Sequence, residues 1–204
     1  MRKFLIATTN PAKFAEARSV LEDGHFEILG LSDFFDVKKV EETGATFEEN
    51  AILKAKGYFE QVGIPCIGDD GGLEVEYLGG APGVASARWL GENASDEDLA
   101  NAIIKKMKGV PRENRGARLG GCMVFYDGTN LLKKENWLDG YIAEKLMGEV
   151  KRGFPYRPIL MIPEFNKPYS ELTHEEHEQV NFRRKNLKAL KSEILKLLDT
   201  GKES

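Results

Sequence analysis

Two adjacent carboxylates, Asp69 and Asp70, follow the short apolar run Ile64-Pro65-Cys66-Ile67 and precede Gly71-Gly72. An apolar run of that kind forms a strand buried on both faces, which puts the aspartates at its carboxyl end, where open α/β sheets bind ligands. Side by side the two charges repel, and a divalent cation or a protonated partner relieves the repulsion. Gly71 and Gly72 then let the backbone turn sharply and approach a ligand with no Cβ in the way. An Asp-Gly turn joining two strands accounts for the same residues equally well. A second stretch with chemical potential is Thr8-Thr9-Asn10-Pro11 with Lys13. Asn10 suits an N-cap and Pro11 a first helical position, and the open N–H groups of such a turn, next to a lysine, form a place for a phosphate. On these residues alone, a capped helix with a solvated lysine is the simpler account.

Elements that position these residues follow from the pattern of apolar side chains. Phe4–Thr8 reads as a buried strand, and Phe14, Ala17, Val20 and Leu21 then recur at helical spacing. Phe26–Leu31 is a candidate second strand. Thr46-Phe47-Glu48-Glu49 is a capping box opening a helix whose apolar face carries Phe47, Ala51, Ala55, Tyr58, Phe59 and Val62, with Gly63 as its stop. Lys54 falls off that stripe, toward solvent or toward a ligand. Leu73–Tyr77 alternates like a strand, Pro82–Leu90 suggests a short helix, and Ser95 caps another with Leu99, Ala102, Ile103 and Met107 inward. Arg118–Tyr126 reads as a strand turned at Asp127-Gly128 into a return strand near Leu131, with a further strand at Gly140–Ala143. Pro158–Pro163 is a strand, Thr173 opens a capping box, and Leu187, Leu190, Ile194 and Leu197 mark a last amphipathic helix. Such alternation predicts a mixed α/β sheet.

At 204 residues the chain suffices for one domain of two intimate lobes, taken as 1–198, with a disordered charged tail over 199–204. A content of 41% hydrophobic and 30% charged residues is that of a soluble globular protein, and no apolar run reaches the roughly 20 residues that span a bilayer. Met1-Arg2-Lys3 leads into a first strand rather than a secretory signal, so a cytoplasmic location and no membrane partner are expected. The net charge of −4 argues against a general nucleic-acid binder, which needs a positive surface. Cys66 and Cys122 both lie in apolar runs and are expected as buried free thiols.

Asp69-Asp70-Gly71-Gly72-Leu73-Glu74-Val75, followed by Gly80-Ala81-Pro82-Gly83-Val84 and Ser86-Ala87-Arg88-Trp89, resembles the signature of the inosine triphosphatase family. These HAM1-like pyrophosphatases act on non-canonical purine nucleoside triphosphates and usually carry Ser where Gly71 stands. Thr43-Gly44-Ala45-Thr46-Phe47-Glu48-Glu49-Asn50-Ala51 with Lys54 is similar to a second family motif, and Ile6-Ala7-Thr8-Thr9-Asn10 with Lys13 to a third. The resemblance implies a long twisted mixed sheet flanked by helices, in two lobes with the nucleotide in a central cleft, and a homodimer. It implies Mg²⁺-dependent cleavage between the α and β phosphorus atoms, giving a monophosphate and pyrophosphate. By the same match Glu41 and Asp70 are metal-linked carboxylates, and Asp69 or Asp70 is the base that takes a proton from water. Thr8, Thr9, Asn10, Lys13 and Lys54 fall at phosphate-binding positions.

The second half departs from the family. Where the pattern is Gly-Phe-Gly-Tyr-Asp-Pro, this chain has Gly153-Phe154-Pro155-Tyr156-Arg157-Pro158, and His177 and Asn181-Phe182-Arg183 stand for a Lys and Ser-His-Arg. Phe154 and Tyr156 are candidates to stack on a base and Arg183 to donate to it. Arg157 exchanges an acceptor for a donor of opposite charge, and Phe182 removes a polar ring. Changes of this kind redirect base choice. House-cleaning of non-canonical triphosphates with altered base specificity is the expectation. The alternatives are a pyrophosphatase for a pyrimidine or modified nucleotide and a nucleotide-binding relative without catalysis.

Overall fold

In a computed structural model, which describes residues 2–91 and 93–200, the strands β1 (Arg2–Ala7), β2 (Phe26–Gly30), β3 (Cys66–Val75), β4 (Gly116–Tyr126), β5 (Leu131–Ile142), β6 (Leu160–Ile162) and β7 (Lys167–Pro168) form one sheet. Its order is β2-β1-β3-β4-β5-β6-β7. β1 pairs in parallel with β2 and β3, whereas β6 pairs antiparallel with β5 and β7, so the sheet is mixed. Five helices accompany it: α1 (Pro11–Leu21), α2 (Phe47–Val62), α3 (Asp96–Lys106), α4 (His174–Val180) and α5 (Phe182–Thr200). The chain divides into two compact units, and β3, β4 and β5 each give one end to either unit.

Unit 1 comprises the chain up to Asp70, Gly121–Asn136 and the segment from Phe182 onward. Its β1 is apolar at every position from Phe4 to Ala7 because both faces are covered. Phe4 and Ile6 pack with Ala17 and Leu21 of α1 and with Leu187, Leu190 and Ile194 of α5. Leu5 and Ala7 point the other way, to Tyr58 of α2 and Cys66. Phe4 meets Phe26 edge-on at 4.7 Å, a geometry aromatic rings favour. Unit 2 comprises Gly71–Gly120 and Trp137–Asn181. Leu99, Ile103 and Met107 of α3 pack there with Leu73, Val75, Ile142, Leu160 and Tyr169. The buried Arg115 fixes the end of α3 by donating to the carbonyls of Met107, Val110, Ile142 and Ala143.

Local signals held for the helices. Asn10 caps α1, Thr46 caps α2, and Gly63 stops α2 with a left-handed φ of 67°. Ser95 and Thr173 form reciprocal capping boxes with Asp98 and Glu176. At α2 the box is altered, because the Glu49 carboxylate accepts from the Ala45 N–H instead of the Thr46 N–H. Cys66 and Cys122 are buried free thiols, as expected.

Four expectations change. Asp69-Asp70-Gly71-Gly72 is not a turn: β3 runs straight through it to Val75. The glycines of this strand answer to packing. A Cβ at Gly68 would strike the Ala51 carbonyl of α2, and one at Gly72 would strike the Ser86 hydroxyl that accepts from the Leu73 N–H. Pro82–Leu90 is no α-helix but a 3-10 turn at Gly83–Ala85 followed by turns. The return strand and the Gly140–Ala143 strand are one twelve-residue element, β5. Asp199 and Thr200 belong to α5, while residues 201–204 of the expected tail lie outside the described residues.

Candidate active site

Within unit 1, three elements bring charge to one place. Lys13 sits one turn into α1, Lys54 in the middle of α2, and Asp69 and Asp70 on β3. Lys54 does not face solvent: it is 7% exposed, with Nζ 3.2 Å from Asp70 Oδ1 and 3.3 Å from Glu42 Oε1. Lys13 Nζ lies 3.6 Å from Asp69 Oδ2. The same Asp69 oxygen accepts from Arg183 Nε at 2.8 Å, and Arg183 Nη1 donates to Glu16 at 3.2 Å.

Because β3 continues through the aspartates, successive side chains point to opposite faces, and the two carboxylates differ sharply. Burial pushes Asp69 up, but Arg183, Lys13 and Lys54 outweigh it and hold the carboxyl at about 2. Burial dominates at Asp70, with Glu42 adding to it, and raises the carboxyl above the ordinary range in spite of Lys54 and Lys13. Asp70 Oδ2 is buried with no hydrogen-bond partner. The Asn50 amide lies near enough to act on Asp70, yet without hydrogen-bond geometry, so Asn50 Nδ2 is also unpartnered. Burial lowers Lys13, against the pull of Asp69.

Glu41 is exposed, and its neighbour Glu42 is the carboxylate at Lys54. The 34–46 segment is pinned along α2 by Gln61, which exchanges hydrogen bonds with both backbone groups of Lys38, by Tyr58 accepting from the Val40 N–H, and by Asn50 accepting from the Gly44 N–H. Those anchors turn Glu42 inward. The α1 turn also differs from expectation. Asn10 Oδ1 already accepts from the Ala12 and Lys13 N–H groups, and Thr8 Oγ1 from the Asn10 N–H, so a phosphate there would meet side chains rather than open amides. Thr9 is exposed.

Glu16, Glu42 and Asn50 escaped the sequence reading, although spacing pointed to two of them. Glu16 is three residues from Lys13, and Asn50 four from Lys54, which places each pair on one helix face. The cluster sets Glu16, Glu42, Asp69 and Asp70 against Lys13, Lys54 and Arg183, one more carboxylate than cation. That excess of negative charge suits an added cation. Among the described residues no three Asp, Glu, His or Cys side chains form a group able to hold a metal ion by themselves. A hard cation held by Asp70 and Glu42 would complete its shell with water and phosphate oxygens, as Mg²⁺ does.

The model of the Ham1 family matches residues 4–193. The chain belongs to the Ham1 family. A dITP/XTP pyrophosphatase of Vibrio parahaemolyticus is 40% identical over 198 residues, covering 95% of this chain and 97% of its own. One from Bacillus subtilis is 38% identical over 191 residues, covering 93% and 96%. Among solved structures, the Ham1 protein of Staphylococcus aureus superimposes with a TM-score of 0.82 at 30% identity, covering 95% of this chain and 98% of that one. A nucleoside-triphosphatase / dITP/XTP pyrophosphatase of Mycobacterium abscessus gives 0.74 at 36% identity, covering 92% and 98%.

The six positions expected at the base end of this Ham1 chain separate. Tyr156 is buried in unit 2, where its hydroxyl donates to the Ser86 carbonyl at 2.6 Å, so its ring serves the core. Arg157 lies over the Phe154 ring at 3.5 Å and at 5.0 Å from the Tyr169 centroid. His177 stacks on Tyr169, centroids 4.7 Å apart and planes 3° apart. Phe182 and Arg183 belong to unit 1, both buried, and Arg183 is engaged with Asp69 and Glu16. Among the described residues no helix is long and apolar enough to cross a membrane.

Proposed function

We propose that the protein is a Mg²⁺-dependent nucleoside triphosphate pyrophosphohydrolase that clears non-canonical nucleotides, cutting between the α and β phosphorus atoms to release a monophosphate and pyrophosphate. One observation carries this: Asp69 and Asp70, adjacent in the chain, lie buried beside Lys13, Lys54 and Arg183, where Asp69 is held ionised by its partners while Asp70 keeps an oxygen without one. Divergent environments for paired carboxylates are how acid–base roles are assigned. The relatives' named activity, dITP/XTP pyrophosphatase, supports the same substrate class.

In this scheme Asp70 is the base, because its raised carboxyl and unpartnered Oδ2 suit it to take the proton of the attacking water. Asp69, held ionised by Arg183, fixes Lys13 by their ion pair and does not itself accept the proton. Lys13 and Lys54 neutralise the phosphates, with Asn10 and Thr8 shaping the turn around them. Glu42 and Asp70 would hold Mg²⁺, which supplies charge neutralisation and a more acidic water when bound. For the base, Phe154, Arg157 and His177 remain the candidates. We further propose a homodimer, as the family resemblance implies, working in the cytoplasm.

Pyrophosphate release across canonical, deaminated, pyrimidine and modified triphosphates with Mg²⁺ tests the proposal. Release from non-canonical purine triphosphates above the canonical set is expected. Tight nucleotide binding with no pyrophosphate, in Mg²⁺ or Mn²⁺, would sink it in favour of a binding protein.

A further inference from the structure

Lys54 Nζ donates to Asp70 Oδ1 at 3.2 Å and stands 3.3 Å from Glu42 Oε1, so a single ammonium bridges the two carboxylates of the proposed Mg²⁺ site. Lys54 and Asp70 are each only 7% exposed, which shuts water out of their contact. Among the described residues Lys54 is the sole cation within ion-pair distance of Asp70. The ammonium thus takes the position from which a metal ion would reach both carboxylates, and two cations crowded together with little water between them repel strongly.

Lys13 is held differently. Its Nζ is 3.6 Å from Asp69 Oδ2, beyond hydrogen-bond reach, and the same oxygen accepts from Arg183 Nε at 2.8 Å. Lys13 can turn to a phosphate and leave Asp69 paired. When Lys54 turns away, Asp70 becomes a buried carboxylate without a cation, which is a costly state. A divalent cation alone would match Asp70 but strand the ammonium; a polyphosphate alone would receive the ammonium but strip Asp70. Only their joint arrival leaves both matched, and the flexible four-carbon stem of a lysine permits the swing.

We propose that Lys54 is a stand-in cation that keeps the metal site shut until metal and polyphosphate arrive together, when its ammonium passes from Asp70 to a phosphate. The nature of the metal and of the polyanion rests on the function proposed above; the occupation of the carboxylates by Lys54 does not. Coupling between two ligands is reciprocal, so each tightens the other by the same factor, commonly about 5–150-fold.

The test is Mn²⁺ binding by the nucleotide-free protein, followed through the spin-resonance signal of unbound Mn²⁺, in wild type, Lys54→Met, Lys54→Gln, Lys13→Met and Asp70→Asn, with pyrophosphate release measured in parallel. Wild type is expected to bind Mn²⁺ no more tightly than Asp70→Asn, because its carboxylates are already taken. Lys54→Met and Lys54→Gln should bind it at least about tenfold more tightly than wild type while losing turnover, and Lys13→Met should stay within about twofold of wild type. Calorimetry of inorganic tripolyphosphate reads the other half: wild type should bind it at least about tenfold more tightly with excess Mg²⁺ than in EDTA. Equal affinities there, wild type binding Mn²⁺ more tightly than Asp70→Asn, or a folded Lys54→Met binding it no more tightly than wild type each overturn the inference. Should neither Lys54 variant fold, the comparison of wild type with Asp70→Asn decides. Tighter Mn²⁺ binding in Lys54→Met with no pyrophosphate release from wild type overturns the proposed reaction and leaves the exchange standing; release without that tightening does the reverse.

Discussion

Arg183 Nε lies 2.8 Å from Asp69 Oδ2, joining residues 114 apart in the sequence, and both side chains are almost wholly buried. Asp69 therefore carries its charge away from water with a partner locked in place. Removing one member of a buried pair leaves the other uncompensated, which costs about 3–5 kcal/mol. Arg183→Met is expected to lose stability on that scale, and Arg183→Lys less, as read from urea midpoints. A carboxyl held at about 2 gives stability that is complete above its unfolded pKa of ~3.9 and is lost as pH falls through the folded value. Stability of the wild type should accordingly decline more steeply between about pH 4 and pH 2 than that of Arg183→Met.

At Asp70 the sign reverses. Its folded pKa is raised, chiefly by burial, so its contribution to stability is present below the unfolded value and is lost as pH rises through the folded one. Asp70→Asn, which removes that buried charge while Lys54 keeps Glu42, should leave the metal-free protein in EDTA at least as stable as wild type at neutral pH. The same variant should lose roughly 10²–10⁴-fold in pyrophosphate release, the usual worth of a general base. An unstable but active Asp70→Asn would contradict both halves.

The contrast between these neighbours also shows what the sequence could and could not carry. Caps at Asn10, Thr46, Ser95 and Thr173 are local chemistry and marked four helices before any contact was known. Gly71-Gly72 read as a turn because glycine pairs punctuate chains, yet Gly72 is a response to Ser86, fourteen positions on, and β3 never breaks. Arg183 resembled a base contact by motif position, while its partners Asp69 and Glu16 are fixed by how α5 and α1 pack on the sheet, which no motif states. Between Glu41 and Glu42 the segment has no periodicity to tell inward from outward. That choice belongs to the hydrogen bonds from Asn50, Tyr58 and Gln61.

Glu42 and Glu41 offer a direct comparison of motif position with geometry. Glu42 stands 3.3 Å from Lys54, whereas Glu41 is exposed. Even outer partners of a metal ligand are worth roughly 10–100-fold in affinity or activity. Glu42→Gln should raise the Mg²⁺ concentration for half-maximal pyrophosphate release by at least that lower bound, and Glu41→Gln should stay within about twofold of wild type. The opposite ranking in a Mg²⁺ titration would return the metal role to Glu41.

Gly68 precedes the two aspartates on β3 and touches α2 so closely that a Cβ would run into the Ala51 carbonyl and the Ala55 amide nitrogen. Neither is the end of a flexible side chain, so α2 itself must shift to admit a methyl group. Overpacking of this kind costs about 1–3 kcal/mol. Because α2 carries Lys54 and β3 carries Asp70, the shift also opens their 3.2 Å contact. Gly68→Ala is therefore expected to lose both stability and turnover. Gly63→Ala, at the left-handed stop of the same helix with open space around it, should lose stability through backbone strain but keep its turnover per folded molecule. Urea midpoints read beside pyrophosphate release normalised to folded protein separate the two, and a Gly68→Ala with wild-type turnover would show that the spacing of α2 from β3 does not govern the site.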